Sequence, residues 1–204
     1  MVQLASKSIT FEEFINWYPN NGIRYELNNG IIIEMPPPSG DHEKVVGLIA
    51  RKLTVEFDRL NLPYTIPKTA LVKPEGVNSA YSPDVLLLNL DNLKNEPFWK
   101  KASTVTQAKS IQLVVEVVSN NWRDDYYKKL ADYEEMGIQE YWIVDYAALG
   151  GKKFIGDPKQ PTIFVGELIN GEYRMNQFQG NSQIVSPNFP QLKLTAQQVF
   201  EAAL

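Results

Sequence analysis

Two carboxylates in the chain stand where an ordinary buried strand would not tolerate a charge. Asp84 begins the otherwise apolar segment 84–89, and Glu116 lies in the middle of the β-branched run 113–118. Burying a lone ionised carboxylate is costly unless it is paired or binds a cation. A divalent metal shared by Asp84 and Glu116 would satisfy both, and the carbonyl of Val117 could add a third hard oxygen ligand. We therefore predict that these three residues bind a metal ion.

A lysine follows at a spacing that could bring it to the same place. Asp125, Lys129 and Tyr133 are spaced by four in a segment of helical periodicity, so they share one face of the predicted helix. If that helix packs beside the strand, Lys129 reaches the carboxylates, where it could hold an attacking water or offset charge on a phosphate. Lys128, rotated about 100 degrees around the helix, is the alternative.

Each of these residues also has an ordinary structural interpretation. A strand glutamate such as Glu116 often lies exposed or pairs with a basic side chain, and a Pro-Asp pair such as the one at Asp84 commonly begins a turn. Asp125 and Lys129 alone would form a helix-surface pair that stabilises by only about 0.3 kcal/mol. Their order and spacing, taken together, favour one shared site.

Composition narrows the kind of metal and the class of protein. The chain has no cysteine and a single histidine, His42, which excludes thiolate sites, disulfides and a multi-histidine zinc site. The predicted metal is therefore Mg²⁺ or Mn²⁺ on carboxylates and carbonyls. The net charge of −4 is a weak argument against a protein that coats nucleic acid. No apolar run approaches the roughly 20 residues of a membrane span and no secretory signal is present, so we expect a cytoplasmic protein with no membrane contact.

The N-terminal part of the chain predicts a helix followed by a hairpin. Thr10 and Glu13 fit a capping box at the start of the helix. The turn signal 28–30, Asn-Asn-Gly, joins two strand-like segments at 24–27 and 31–35. Asp41 is then expected to open the longest helix, which carries an apolar stripe and runs to about Leu60.

The rest of the chain alternates between predicted strands and helices. Strands are expected at 64–66, 70–73, 84–89, 113–118 and 140–145, with a loop and one helical turn over 91–110. A helix over 123–136 ends at Gly137, a second hairpin pairs 162–168 with 172–178, and a tail helix begins at Thr195. These elements predict a single α/β domain over residues 1–204.

The chemistry-bearing residues resemble a known motif. Pro83-Asp84 followed by residues 116–119, Glu-Val-Val-Ser, is similar to the motif of the PD-(D/E)XK nuclease superfamily. More specifically, the chain resembles a family of small proteins, a domain of unknown function, described as putative restriction endonucleases. The resemblance covers nearly the whole chain and is most specific over residues 116–145. In chain order it rests on 24–27, Gly30, 36–38, His42, 82–84, 113–119, Asp125, Lys129, Tyr133, Gly137, 140–145, Ser186, 189–190 and Leu192.

The resemblance implies a restriction-endonuclease-like core, in which helices flank a central mixed β-sheet, with an added N-terminal helix and hairpin and a C-terminal hairpin. It implies Mg²⁺- or Mn²⁺-dependent cleavage of DNA. The superfamily lysine normally lies two residues after the glutamate, at Val118 here, so the family pattern points instead to Lys129. It also implies that a glutamate of the long helix assists the metal site. Glu43 is the candidate, and Glu34 is a second acidic residue that stays open.

Several other residues have competing interpretations. His42 could contact phosphate or transfer a proton, but a capping or packing role is favoured over either. Glu26 is expected to be a structural partner for Arg24 or for a backbone amide. Residues 141–142, Tyr-Trp, are expected to fill the core or an interface rather than stack on bases.

Two functions follow from these residues. The first is a metal-dependent deoxyribonuclease that hydrolyses phosphodiester bonds. The alternative, which the acidic net charge and Val118 favour, is a catalytically inactive nuclease-fold module that binds nucleic acid or protein. A homodimer is a further expectation, because four aromatic residues are predicted to be exposed: Trp99, Trp122, Tyr126 and Tyr127.

Overall fold

The N-terminal region is a helix packed on a small sheet. The computed structural model of the protein describes residues 2–3 and 8–204. Helix α1 spans Phe11–Trp17, and both hydrogen bonds of the predicted capping box between Thr10 and Glu13 are present. Strands β2, Arg24–Asn28, and β3, Ile31–Met35, form the predicted hairpin, and the short strand β1, Val2–Gln3, pairs with β3.

The hairpin turn is held close to the chain that precedes α1. Asn29 and Gly30 both have positive φ, 50° and 80°, as a tight two-residue turn requires. A Cβ on Gly30 would collide with Ser8 Oγ, so a side chain does not fit there. The Ile9 amide donates to the Gly30 carbonyl at 2.8 Å and holds this end of the hairpin, while the other end of β2 reaches the candidate site.

The longest helix, α2, spans Gly40–Arg59 and starts slightly earlier than predicted. Ser39 is the N-cap, because its hydroxyl accepts a hydrogen bond from the His42 amide at 3.2 Å. The apolar stripe of α2 is buried against one face of the central sheet. His42, in the first turn of the helix, contacts Val117, which ends one of the inner strands of that sheet.

The middle of the chain alternates short strands with short helices. Strand β4 spans Tyr64–Thr65, β5 spans Leu71–Val72 and β6 spans Val85–Asn89. The segment 91–110 was predicted to be mostly loop. The one predicted helical turn is present as α4, Trp99–Ala102, but the segment also contains most of α3, Leu90–Leu93, and all of β7, Thr104–Val105, and a 3₁₀ turn, Ala108–Ser110. Parallel pairing of β5 with β7 gives these polar residues a structure that local periodicity did not show.

The second half of the chain completes the central sheet. Strand β8 spans Ile111–Val117, and a π-helical turn, Asp124–Lys128, leads into helix α5, Lys129–Met136. Gly137, in the left-handed conformation at φ 87°, ends α5 as predicted. The remaining elements are β9, Glu140–Asp145, α6, Lys152–Ile155, β10, Thr162–Ile169, β11, Glu172–Phe178, and α7, Ala196–Glu201.

The central sheet is mixed, as expected. Its six strands lie in the order β11-β10-β9-β8-β6-β4; β8 and β9 are parallel and every other pair is antiparallel. Helices α2 and α7 cover one face, while the π-turn and α5 cover the other. The prediction of a mixed α/β fold with a central mixed sheet flanked by helices is confirmed. No helix in residues 2–3 and 8–204 has both the length and the apolar character that a membrane crossing needs.

Three of the four aromatic residues predicted to be exposed, Trp99, Trp122 and Tyr126, are partly or fully buried. Tyr126 was predicted to be exposed, but it is buried, and its hydroxyl donates to Asp145 Oδ2 at 3.1 Å. Trp122 is half-buried, packing edge-on against Tyr126, and of the four aromatics only Tyr127 is classed as exposed. Tyr141 and Trp142 are fully buried, which confirms that they fill the core.

Candidate active site

Two neighbouring strands bring Asp84 and Glu116 to one cavity. Strands β6 and β8 are antiparallel with Val85 opposite Val115, so Asp84 lies beside the C-terminal end of β8. The Asp84 carboxylate accepts the Val117 amide at 2.8 Å. Asp84, Glu116, Val117 and Lys129 all line one cavity of about 760 Å³, which we call the site cavity. The structure therefore groups the four central residues of the sequence prediction.

Glu116 is held on both of its oxygens. Lys129 Nζ lies 3.0 Å from Oε2, and the Tyr133 hydroxyl donates to Oε1 at 2.9 Å. Glu116 and Lys129 are only 3% and 4% exposed. The predicted packing of α5 beside β8 thus places the lysine on the glutamate, as the spacing of Lys129 and Tyr133 suggested.

Lys129 is shared by three carboxylates rather than one. Besides Glu116, its ammonium lies 3.5 Å from Glu26 Oε1 and 3.6 Å from Asp125 Oδ1. Asp125 and Lys129 were given an alternative interpretation as a helix-surface pair, and that interpretation is wrong because both side chains are buried. A buried cation among three acids is a charge cluster, which we call the Lys129 cluster, with more negative than positive members.

The polar face of β2 explains why the two adjacent lysines differ. Glu26 accepts the Ser82 amide at 2.9 Å and contacts Lys129, so it ties β2 to the loop that carries Asp84. Two residues further along the same face, Asn28 Oδ1 accepts a hydrogen bond from Lys128, whose Nζ also lies 3.3 Å from Ser79 Oγ. Lys128 is therefore directed to the end of the hairpin, and Lys129 to the site cavity.

His42 contacts two of the predicted metal ligands. Its Nε2 atom lies 3.2 Å from the Val117 carbonyl oxygen and 3.4 Å from Asp84 Oδ2. Burial lowers its pKa, but the hydrogen bond and charge of Asp84 outweigh this and raise the pKa above its usual value. The favoured packing role accounts for the burial of His42 but misses its place in the site.

The two further acidic candidates do not join this group. The Glu43 side chain is 58% exposed, and its carboxylate lies 3.6 Å from His42 Nδ1. Glu34 lies in β3 opposite Tyr25. Neither is among the residues that line the site cavity. Any effect of Glu43 on the site would therefore pass through His42.

Within the Lys129 cluster, the pKa values of Glu116, Asp125 and Lys129 are all raised. Burial raises the pKa of Glu116 well above its usual range, and the charges of Asp125, Asp84 and Glu26 add to this against the opposing effect of Lys129. Burial also raises the pKa of Asp125, to about 7. Burial alone would lower the pKa of Lys129, but the surrounding carboxylates raise it, so the lysine stays charged. A cation entering the cavity would favour the charged forms of these acids.

The donor atoms suit a hard divalent ion. Among residues 2–3 and 8–204, no three acidic, histidine or cysteine side chains form a ready-made metal site. The available donors are the carboxylates of Asp84 and Glu116 and the carbonyl of Val117, all lining the site cavity. Mg²⁺ commonly binds one or two carboxylates and keeps several waters, so this donor set fits it chemically.

Comparison with known proteins assigns the family. The profile of the Uma2 family, described as "Putative restriction endonuclease", matches residues 11–197. The chain belongs to the Uma2 family. A crystal structure described as a putative nuclease belonging to DUF820, from Anabaena variabilis, superposes with a TM-score of 0.72 at 18% identity, covering 96% of this chain and 99% of that one. At this identity the likeness shows a shared fold. No curated protein sequence matches the chain.

The structure gives a place in the site of this Uma2 protein to three residues that the sequence analysis named without assigning them to it. Glu26, Asp125 and Tyr133 complete the surroundings of Lys129 and Glu116. The four-residue spacing of Asp125, Lys129 and Tyr133 was a usable signal for two of them. Glu26 had none of that kind, because its partners come from other parts of the chain.

Proposed function

We propose that this Uma2-family protein is a metal-dependent deoxyribonuclease that hydrolyses phosphodiester bonds at the site cavity. The observation that carries the proposal is that Asp84, Glu116 and the Val117 carbonyl line one cavity beside a buried lysine. Membership of a family described as putative restriction endonucleases supports the reaction class. An Mg²⁺ or Mn²⁺ ion held by these three residues would supply Lewis-acid chemistry and an activated water.

The protein's own residues prepare the carboxylates for this role. The Val117 amide fixes the Asp84 carboxylate, and Tyr133 and Lys129 fix that of Glu116. Each bonded carboxylate oxygen keeps a lone pair for a further ligand. Lys129, which stays charged, balances part of the negative charge of the acids and limits their mutual repulsion.

A second function is favoured by a specific observation. Both Glu116 oxygens already have partners, and His42 Nε2 already contacts Asp84 and the Val117 carbonyl. A site so complete in itself is also what a catalytically inactive nuclease-fold module would have. Such a module would bind nucleic acid or protein without cutting it.

The substitution Asp84→Asn tests the two functions together. The amide oxygen of the variant can still accept the Val117 N–H, so the fold is preserved while one anionic ligand is lost. The matched control is Asp58→Asn, an exposed aspartate of α2. The readouts are nicking of supercoiled DNA with Mn²⁺ or Mg²⁺ and binding of Mn²⁺ followed by calorimetry.

We expect the control to cut DNA and bind Mn²⁺ like the unmodified protein, and Asp84→Asn to lose both properties. Cleavage that persists in Asp84→Asn would contradict the site assignment. DNA binding by the unmodified protein with no cleavage under any divalent metal would favour the inactive module.

A further inference from the structure

Arg24 is a free cation at the edge of the site cavity. Side chains alternate along β2, so Arg24, Glu26 and Asn28 share one face while Tyr25 and Leu27 are buried on the other. Glu26 and Asn28 each bind a lysine. Among the described residues, the Arg24 guanidinium has no hydrogen-bond or ion-pair partner, although it lines the site cavity and is half-buried.

The charges in the site cavity indicate a role for Arg24. Among the described residues, the basic side chains that line the site cavity are those of Arg24 and Lys129. Lys129 is buried and lies within 3.6 Å of three carboxylates, so its charge is already more than balanced. A metal ion held by Asp84 and Glu116 would meet the phosphate that is cleaved, so the next phosphate of the strand needs another cation. Among the described residues, Arg24 is in a position to bind that phosphate.

A second cavity continues from the first across Arg24. This flanking cavity, of about 270 Å³, is also lined by Arg24 and Ser82, so the two cavities meet at these residues. The remaining polar lining of the flanking cavity includes Lys101, Thr69 and Ser103. One basic and several hydroxyl side chains are suited to contacts with phosphate and sugar. The two cavities therefore lie on either side of Arg24 and Ser82, which line both.

We propose that Arg24 binds the phosphodiester next to the one cleaved, and that the DNA strand passes from the site cavity across Arg24 into the flanking cavity. The planar guanidinium presents paired N–H donors that match two phosphate oxygens. The inference rests on the proposed nuclease function, because the neighbouring phosphate is defined by the bond that is cut. It assigns the Arg-Tyr-Glu segment of β2 two tasks, with Arg24 holding substrate and Glu26 holding Lys129.

Binding of a fluorescent duplex oligonucleotide in EDTA tests Arg24 apart from cleavage. We expect Arg24→Ala to bind about tenfold more weakly than the unmodified protein. The slope of log affinity against log salt should also fall by about one, which is the loss of one phosphate contact. Arg24→Lys keeps the charge and should recover the slope but only part of the affinity. The matched control is Arg51→Ala, an exposed arginine of α2 that lines neither cavity.

Steady-state cleavage with Mn²⁺ separates substrate binding from a structural role. Arg24→Ala should raise KM about tenfold and leave kcat and the melting temperature nearly unchanged, because the contact is present before and during the reaction. A fall in kcat with a lowered melting temperature would assign Arg24 a structural role and overturn the inference. Equal affinity and salt slope in Arg24→Ala and Arg51→Ala would overturn it as well, even if Asp84→Asn still abolished cleavage.

The path through the flanking cavity has its own test. Lys101→Ala should weaken oligonucleotide binding by about threefold and lower the salt slope, since Lys101 lies exposed in that cavity. An unchanged slope in Lys101→Ala together with a lowered slope in Arg24→Ala would overturn the path but keep the Arg24 contact. Failure of the unmodified protein to bind DNA at all would overturn both the inference and the proposed function.

Discussion

Two buried glutamates on adjacent strands of the same sheet have very different surroundings. Glu116 in β8 faces a cavity and shares one lysine with other acids. Glu140 in β9 is fully buried and meets neutral donors on both oxygens: the Trp142 indole at 2.6 Å, and the Asn188 amide and side chain at 2.9 and 2.8 Å. Glu140 is not among the residues that line the site cavity.

The comparison shows that burial of a carboxylate does not by itself identify an active site. Burial raises the pKa of both glutamates, but hydrogen bonds from Asn188 and Trp142 oppose the rise at Glu140. At Glu116 nearby acids increase it. Glu140 is thus satisfied by its surroundings, whereas Glu116 belongs to a cluster that carries surplus negative charge beside an open cavity. That surplus is what an entering cation would neutralise.

The largest effect expected is the loss of cleavage in Glu116→Gln. The substitution removes one of the two carboxylates proposed to hold the metal ion, and we expect kcat/KM for DNA cleavage to fall on the order of a thousandfold. The fold should survive, because the new amide can direct its oxygen to Lys129 and donate to the Tyr133 hydroxyl. Cleavage assays with Mn²⁺, with circular dichroism to check the fold, measure this.

Glu140→Gln is the matched control and should behave in the opposite way. Both Glu140 oxygens accept hydrogen bonds from N–H donors of Trp142 and Asn188. In the variant, the new amide NH₂ must face one of these donors and cannot accept its hydrogen bond. We expect about 3 kcal/mol lower free energy of unfolding and unchanged kcat/KM at a temperature where the variant is folded. Equal loss of activity in the two variants would remove the distinction between a functional and a structural carboxylate.

Much of the fold could be predicted from local patterns, but the surroundings of the site could not. The two hairpins, the capping box at Thr10 and the helix end at Gly137 depend on neighbouring residues. Glu26 contacts an amide 56 residues away, and His42 a carbonyl 75 residues away, so no spacing rule reveals them. The order of Asp84, Glu116 and Lys129 was informative because it followed successive elements that pack together.

Removing the cation of the Lys129 cluster should destabilise the protein next most strongly. In Lys129→Met the buried acids lose their balancing charge, and we expect the free energy of unfolding at pH 7 to fall by about 3 kcal/mol. Lys128→Met, the adjacent control, loses hydrogen bonds to the neutral Asn28 and Ser79 and a contact with the Tyr81 ring, and we expect a loss of about 1 kcal/mol. Urea denaturation compares the two. Equal losses would mean that Lys129 stabilises no more than its neighbour does.

The same cluster predicts how stability depends on pH. The pKa of Asp125 is raised to about 7 in the folded protein, so between its ordinary value and pH 7 the folded state keeps a proton that the unfolded state loses. Stability is therefore highest at the acid end of this window and falls as pH rises, by on the order of 4 kcal/mol. The raised pKa of His42 acts in the same direction at higher pH.

Asp125→Asn should flatten that dependence, whereas Asp58→Asn should leave it unchanged. Urea denaturation at intervals from pH 4.5 to 7.5 measures the free energy of unfolding for each variant. Glu116 and His42 remain in Asp125→Asn, so part of the fall should persist. A curve for Asp125→Asn that superposes on that of the unmodified protein would mean that Asp125 titrates alike in the folded and unfolded states.

The smallest effect is expected at Asn188, a hydrogen-bond partner of Glu140. Its side-chain amide donates to Glu140 Oε2 at 2.8 Å and to the Gln112 carbonyl at 2.7 Å, while its backbone N–H donates to Glu140 independently. Asn188→Ala removes only the side-chain bonds, so we expect about 1 kcal/mol lower free energy of unfolding and unchanged cleavage. A large loss of cleavage instead would show that Glu140 and Glu116, although carried by adjacent strands, are coupled through the sheet. The separation of structural and functional carboxylates would then have to be replaced by a single network.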